Sequence, residues 1–391
     1  MQVEIHSINF FFTLKNDLAP TYAYKFGEEW VLWYAKSNNY SVVSLHFKAL
    51  LDTYLESKDI EEFQQTLQLK SVASNLKQIG SALLQYLEHC NTVVSDANER
   101  HYDYNPANQK ISRHYLISGK YIEVNFDSQL VEQLFHPALA YLEVTHKKHS
   151  ADTQFDIYLE NNDLCLFKNK ALIKASYKKD YHFIQGKFIF EIINTIHDKK
   201  ALDWLATFHG STITNGVNAI LLIGNSGKGK STLSSLLASH GFYILADDVT
   251  PLGCDNQNLY YNPSAVSVKS GAFKVLKPYI QNLDDLATIS FNTTKGALKY
   301  IPFPKPKDNQ YPCSAIIMVN YAADSETELE KTDIKTVLEV LISESWLSPN
   351  PKHAKQLLDW LQSIALYQLH YSDTASVVDT ISHLFKTLDH K

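Results

Sequence analysis

Residues 218–241 read NAILLIGNSGKGKSTLSSLLASHG, and Gly224, Asn225, Ser226, Gly227, Lys228, Gly229, Lys230 and Ser231 within them form G-x-x-x-x-G-K-S. Such a loop suits phosphate for a physical reason. Its glycines let the backbone wrap until successive N–H groups point inward, and the helix that follows adds partial positive charge at its N-terminus. Lys230 is placed to reach β- and γ-phosphates, Ser231 to set its hydroxyl on Mg2+, and Thr232 completes the nucleotide-binding set. The expected cofactors are ATP and Mg2+.

Two carboxylates come next. The segment FYILA (242–246) ends in Asp247 and Asp248. At the end of a strand beside a phosphate loop, one can hold Mg2+, directly or through water. The other can accept a proton from an attacking hydroxyl. Upstream, His209 stands in FHGSTI (208–213), on a strand or turn where it can face the γ-phosphate.

The elements needed to position these groups are legible. A continuous apolar strand, Ala219–Ile223, enters the loop, and a helix from Lys230 to His240 leaves it and stops at Gly241. From about 215 onward the pattern is α/β. Residues 111–208 are mixed and strand-rich, with strands at 121–126, 155–160 and 171–177 and a predicted helix at 128–143. PFPKPKDNQYP (302–312) is a lysine-bearing proline-rich loop, CSAIIMVNY (313–321) a buried strand, and 333–344, 353–366 and 374–388 are helical. The first ninety residues form a separate unit, with strands at 21–26, 29–35 and 40–43 and helices at 44–56, 59–69 and 72–87. The polar stretch 91–110 reads as a linker.

Composition narrows the classes. A chain of 391 residues accommodates two or three domains, and 12% aromatic residues exclude a largely disordered chain. The net charge of −6 argues against a protein that binds nucleic acid mainly through overall charge. Cys90, Cys165, Cys254 and Cys313 form no C-x-x-C pair, so reduced thiols are expected rather than a disulfide framework or zinc site. The N-terminal MQVEIHSINFFFTL lacks a basic n-region, and no apolar run reaches the roughly 18 residues of a membrane span. A soluble cytoplasmic protein without a membrane partner is expected.

Of the 36 basic residues only Arg100 and Arg113 are arginines. Small P-loop metabolite kinases also place an aspartate near this spacing, but they close an arginine-bearing lid over the phosphates, where the guanidinium fork neutralises a phosphoryl group bidentately. A lid here must be lysine, with Lys269, Lys295, Lys299, Lys305 and Lys307 as candidates.

The string H-G-(x)13-G-N-S-G-K-G-K-S-T, followed by G-F-Y-I-L-A-D-D-V, resembles the HPr kinase/phosphorylase family in its broader kinase-like branch. In that family a histidine lies 21 residues before the loop lysine and the second aspartate 18 residues after it, as His209 and Asp248 stand to Lys230. The resemblance implies a phosphoenolpyruvate-carboxykinase-like α/β core over about 111–388. It implies Asp248 as general base toward a serine or threonine hydroxyl, Asp247 and Ser231 near Mg2+, and His209 at the phosphoryl site. The chain departs from the family after the aspartates. NPSAVSVKSGAFKVL (262–276) stands where an acidic residue near R-G-L-G belongs. A true HPr kinase/phosphorylase is therefore not expected, and SVKSG, with Lys269, is similar to divergent members acting as peptide or small-molecule kinases. Lys269 and Lys299 remain the candidate phosphate or substrate lysines. Hexamers occur in that family, which leaves a homo-oligomer open.

The strand–turn–strand and helices within 21–90 resemble the PqqD-like winged-helix domain, which takes up a leader peptide as an added strand. Together the resemblances imply a PqqD-like unit at 1–95, a linker at 96–110 and a kinase domain at 111–391, α/β within an α+β whole. The implied activity is γ-phosphoryl transfer from ATP to a Ser/Thr hydroxyl of a peptide or small protein, such as a ribosomally synthesised precursor. A small-molecule hydroxyl kinase and a non-catalytic nucleotide-gated binding module stay open beside it.

Overall fold

In a computed structural model, which describes residues 15–68, 76–93, 100–145, 150–290, 296–323 and 325–388, three aromatic-rich strands come first. Tyr22–Phe26, Glu29–Tyr34 and Asn39–Ser44 pair antiparallel in that order. Ser44 then starts the helix Leu45–Glu56 by accepting the Phe47 amide at 3.2 Å. Asp59 starts Ile60–Gln68 by accepting the Glu62 amide at 2.8 Å, each a short polar side chain satisfying an orphan helix donor. With the helix Leu76–Cys90 these elements enclose a core that includes Leu32, Tyr34, Leu51, Phe63, Leu83 and Leu87.

This unit comprises residues 1–97 together with 333–343 and 347–363. It therefore takes in the helices Ile334–Ser343 and Pro351–Ser363, which the sequence reading assigned to the second domain. Periodicity shows that an amphipathic helix forms, not which core its apolar face joins. Tyr24 donates to Asp359 at 2.7 Å, and the Gln362 amide donates to the Lys25 carbonyl at 3.0 Å. Pro351–Ser363 thus occupies part of the outer edge of strand Tyr22–Phe26.

The second unit comprises 98–332, 344–346 and 364–391. Its first layer is a five-stranded sheet in the order Ile111–Ile117, Lys120–Phe126, Thr153–Glu160, Asp163–Lys168, Ala171–Tyr177, with the helix Tyr181–Ile196 following it. Of the expected linker, 96–99 lie outside the described residues, whereas 100–110 are packed on this sheet. Tyr102 donates to Asp163 at 2.7 Å, and Tyr104 meets Phe167 edge-on at 5.7 Å. The helix expected over 128–143 ends at Phe135 and gives way to 3-10 turns. Pro137 is the cause, because it has no N–H for the helical ladder.

The central layer is a mixed sheet. Its strands run Tyr243–Ala246, Ser211–Thr214, Ala219–Ile223, Gln310–Tyr321, Asn258–Tyr260, Thr250–Gly253 and Trp204–Phe208 in spatial order. Gln310–Tyr321 is its spine, parallel to Ala219–Ile223 on one side and to Ala365–Tyr371 over its C-terminal half. Ala365–Tyr371 is a strand that helical periodicity over 353–366 ran into. A small sheet, Val266–Lys269, Ala297–Ile301 and Ile289–Ser290, lies apart from it. The helix Lys230–Ser239 packs through Leu233, Leu236 and Leu237 into a core shared with Ile213, Ile220, Leu222 and the helix Thr374–Leu388. The fold is mixed α/β. All four cysteines are free, and among the described residues no helix is long and apolar enough to cross a membrane.

Candidate phosphate-binding site

Strand Ala219–Ile223 is buried throughout, and Gly224 leaves it at φ +146°. A Cβ there would come within 2.8 Å of the Val319 carbonyl, so the turn admits only glycine. Asn225, Ser226, Gly227 and Lys228 are exposed. Gly229, at φ +94°, then opens the helix Lys230–Ser239; a Cβ on it would meet the Tyr371 hydroxyl at 2.8 Å. No side chain caps this helix, so its first-turn donors are left to solvent or to an anion. Thr232 is half-buried on the same turn.

Lys230 is buried and folds back over the loop, donating to the Gly224 carbonyl and, at 3.5 Å, to that of Asn225. Burial pushes its ammonium below the usual lysine range. The charges of Asp248, Glu344 and Asp247, in that order, oppose the shift, and Lys269 adds to it. Lys269 lies across the loop, donating to the Ser226 hydroxyl at 3.2 Å.

Asp247 is 2% exposed. Its carboxylate accepts from Ser211, from Ser231 at 3.1 and 3.3 Å, and from the Ser267 amide at 3.3 Å. These donors are hydroxyls and an amide, none of them cationic. Desolvation first, and the neighbouring Asp248 charge second, raise this carboxyl to about 7 against the pull of the hydrogen bonds. A buried carboxylate beside a serine hydroxyl is a hard-oxygen donor set. Mg2+ commonly takes one or two carboxylates and fills its remaining positions with phosphate oxygens and water. The residues therefore fit Mg2+ with a phosphate ligand. Among the described residues no cluster of three or more His, Cys, Asp or Glu could hold a metal without one.

Asp248 is exposed and sits at φ +61°, with the Val249 amide closing back on the Asp247 carbonyl at 2.7 Å. That is a tight γ-turn with positive φ at its centre, a strained arrangement. Asn262, buried, braces it by donating to the carbonyls of both Asp247 and Val249, at 3.0 and 2.9 Å. Ser267 donates to the Asp248 carboxylate at 3.2 Å. The carboxylate is thereby held at the surface beside its buried twin.

His209 lies after strand Trp204–Phe208, its ring Nε2 3.5 Å from a Glu344 carboxylate oxygen and its amide donating to the Ser345 hydroxyl at 3.3 Å. The fold thus gathers Lys230, Ser231, Asp247, Asp248 and Lys269 around the loop, with His209 paired to a residue whose charge reaches Lys230.

The other candidate lysines are not brought there. Lys299 is buried elsewhere, donating to the carbonyls of Leu286 and, at 3.3 Å, Asp284, with its ammonium 5.6 Å from the centre of the Phe273 ring. Its alternation on strand Ala297–Ile301 turns it from the face that carries Tyr300. Lys305 reaches Ser118 at 3.1 Å, Lys307 is exposed with no part in the loop's contacts, and Lys295 lies outside the described residues. Both arginines are also committed elsewhere, Arg100 to Asp163 and Arg113 to Glu132 and Glu143. Ser211, Asn262, Ser267 and Glu344 escaped the sequence reading because none belongs to a local motif. Ser211, two residues after His209, had the nearest thing to a signal.

No protein-family model matches the chain, and no curated protein does. Among solved structures, the HPr(Ser) kinase/phosphatase from Coxiella burnetii matches at 14% identity and a TM-score of 0.23, over 47% of this chain and 98% of its own.

Proposed function

We propose that this chain is an HPr-kinase-like phosphotransferase that moves the γ-phosphoryl group of ATP to a Ser or Thr hydroxyl of a peptide or small protein. The observation that carries it is the pairing at one loop of a buried carboxylate hydrogen-bonded to the motif serine, Asp247 with Ser231, and a surface carboxylate on a strained turn, Asp248. The two environments suit two tasks. Asp247 and Ser231 would hold Mg2+, which supplies charge neutralisation on the phosphates. Asp248, at the solvent face, orients the incoming hydroxyl and accepts its proton. Lys230 and Lys269 neutralise phosphate oxygens, and the amides of the loop and helix start bind the rest.

The acceptor class rests on the first unit. The outward backbone groups of strand Asn39–Ser44 make no hydrogen bond to another described residue, since that strand pairs only with Glu29–Tyr34. An extended segment of a precursor peptide can be added there as a further strand, in the PqqD-like manner. Tethering its leader raises the effective concentration of the acceptor hydroxyl.

The test is Asp248→Asn with radiolabelled ATP and a pool of serine- and threonine-containing peptides. Transfer should fall by about 10²–10⁴-fold, the usual worth of a general base, while ATP binding by calorimetry persists. Undiminished transfer would remove Asp248 from the mechanism, and absence of transfer by the unmutated chain to any hydroxyl would remove the kinase reading.

A further inference from the structure

We infer that Glu344 is the positioning residue for His209, an assignment that rests on the phosphoryl-transfer reading above and supplies an acidic group to the site from a part of the chain no motif marks. The observations are geometric. Glu344 and Ser345 grip His209 at two points, the carboxylate at the ring Nε2 and the hydroxyl at the backbone amide, at 3.5 and 3.3 Å. A lone ion pair at a half-exposed site is a weak constraint. The Ser345 hydroxyl on the adjacent residue adds a hydrogen bond to the His209 backbone, which holds the segment carrying Glu344 beside the ring.

The three residues Glu344–Trp346 group with the second unit although the chain on both sides of them groups with the first. They are seated there by contacts of their own. Besides the His209 bonds, the Trp346 ring meets Phe190 at 5.7 Å between centroids. The Glu344 charge also reaches the loop, where it ranks between Asp248 and Asp247 among the groups acting on Lys230. Glu344 therefore stands against the histidine and adds its charge to the surroundings of the lysine, 135 residues beyond one and 114 beyond the other.

Which ring nitrogen of a histidine bears hydrogen is decided by the group that the nitrogen faces. A carboxylate beside Nε2 favours hydrogen on that nitrogen, as an outer carboxylate does for catalytic and metal-bound imidazoles. Glu344 so sets the face that His209 turns to the transferring phosphoryl group. It touches no reacting atom itself.

The full chain is used for two measurements. In the first, ring nitrogen shifts of His209, assigned by loss of its signals in His209→Ala, are compared among the unmutated protein, Glu344→Gln and Glu344→Ala. The unmutated ring should carry hydrogen on Nε2 and Glu344→Ala should change the tautomer ratio, with Glu344→Gln intermediate. An unchanged ring in Glu344→Ala overturns the assignment, and this arm needs no activity. In the second, ATP turnover with water as acceptor is measured for His209→Ala, Glu344→Ala and the double variant. Glu344→Ala should lower kcat about tenfold with little change in KM for ATP, and should cost nothing further once His209 is gone. An equal loss in both backgrounds shows Glu344 acting independently of His209 and overturns the positioning role. Absence of turnover in the unmutated chain with water and with the peptide pool alike, the tautomer result intact, instead counts against the kinase reading.

Discussion

Asp247→Asn should make the metal-free protein more stable at pH 8 and leave its stability nearly unchanged at pH 5. The carboxyl is wholly buried, and its titration is moved from the ordinary 3.8 to about 7 by desolvation and by Asp248. At about 1.36 kcal/mol for each tenfold change, that displacement corresponds to roughly 4 kcal/mol of destabilisation when the group is ionised. The direction follows from proton binding. Between about pH 4 and 7 the folded state holds a proton that the unfolded chain has lost, so stability falls as pH rises through that window. It stays low above the folded value.

Asparagine removes the charge and can keep the contacts. Its oxygen can take the place that accepts the Ser267 amide. Its NH2 group can donate to the Ser211 hydroxyl, which rotates to suit. Burying the neutral amide costs back about 1–2 kcal/mol, leaving a gain of about 2 kcal/mol at pH 8. The assay is urea unfolding in the presence of a chelator, comparing midpoints of the variant and the unmutated protein at pH 5 and pH 8. A variant less stable at pH 8, or a gain of equal size at both values, would refute the account of Asp247 as a buried charge hydrogen-bonded only to neutral donors. Saturating Mg2+ and ATP should reverse the order, because only the carboxylate then gains a ligand.

Gly229→Ala should weaken ATP binding at least tenfold by calorimetry, since φ +94° and the Tyr371 hydroxyl both oppose a Cβ. Gly271→Ala, in open space on the helix Ser270–Leu276, should leave binding alone and stabilise the protein by about 0.5–1 kcal/mol. The two lysines should separate in the opposite sense. Lys269→Ala should raise the Kd for ATP several-fold without moving the urea midpoint. Lys299→Ala should leave the Kd unchanged and destabilise by about 0.5–1.5 kcal/mol, because the buried lysine's hydrogen bonds to the Leu286 and Asp284 carbonyls are lost.

The loop, its flanking strand and helix, and the Asp247–Asp248 pair were readable because each lies within a few residues of its neighbours and obeys a local rule. The structure gathers Lys230, Ser231, Asp247, Asp248 and Lys269 around the loop, with His209 beside Glu344. Lys299 shows where such reasoning stops. A lysine on a strand faces one of two sides, and the side is set by register with Val266–Lys269 rather than by the lysine itself. The unexpected strand Ala365–Tyr371 has the same origin. ALYQLHY carries no strong local preference, and it becomes a strand by pairing with Gln310–Tyr321. Membership of Ile334–Ser343 and Pro351–Ser363 in the first unit is likewise a tertiary choice.

Scarcity of arginine acquires a sharper meaning once both arginines are located. Arg100 is tied to Asp163 and Arg113 to Glu132 and Glu143, carboxylates of the five-stranded sheet and the helix and turn that follow its second strand. Neither belongs to the loop's contacts, so among the described residues the cationic groups there are lysines, Lys228 within the loop together with Lys230 and Lys269, and the imidazole of His209 stands beside Glu344. Lysine is a compact point charge on a flexible stem, without the planar fork that fixes a phosphoryl group at two oxygens. Orientation must then come from elsewhere. The loop amides and the uncapped helix start are fixed in direction, as Mg2+ would be if held by Asp247 and Ser231, whereas Lys269 on its long side chain is not. A site organised this way would draw its geometry from the backbone and the metal and only its charge from lysine. Lys269→Arg would then fail to improve transfer, even though arginine is the stronger phosphate ligand in isolation.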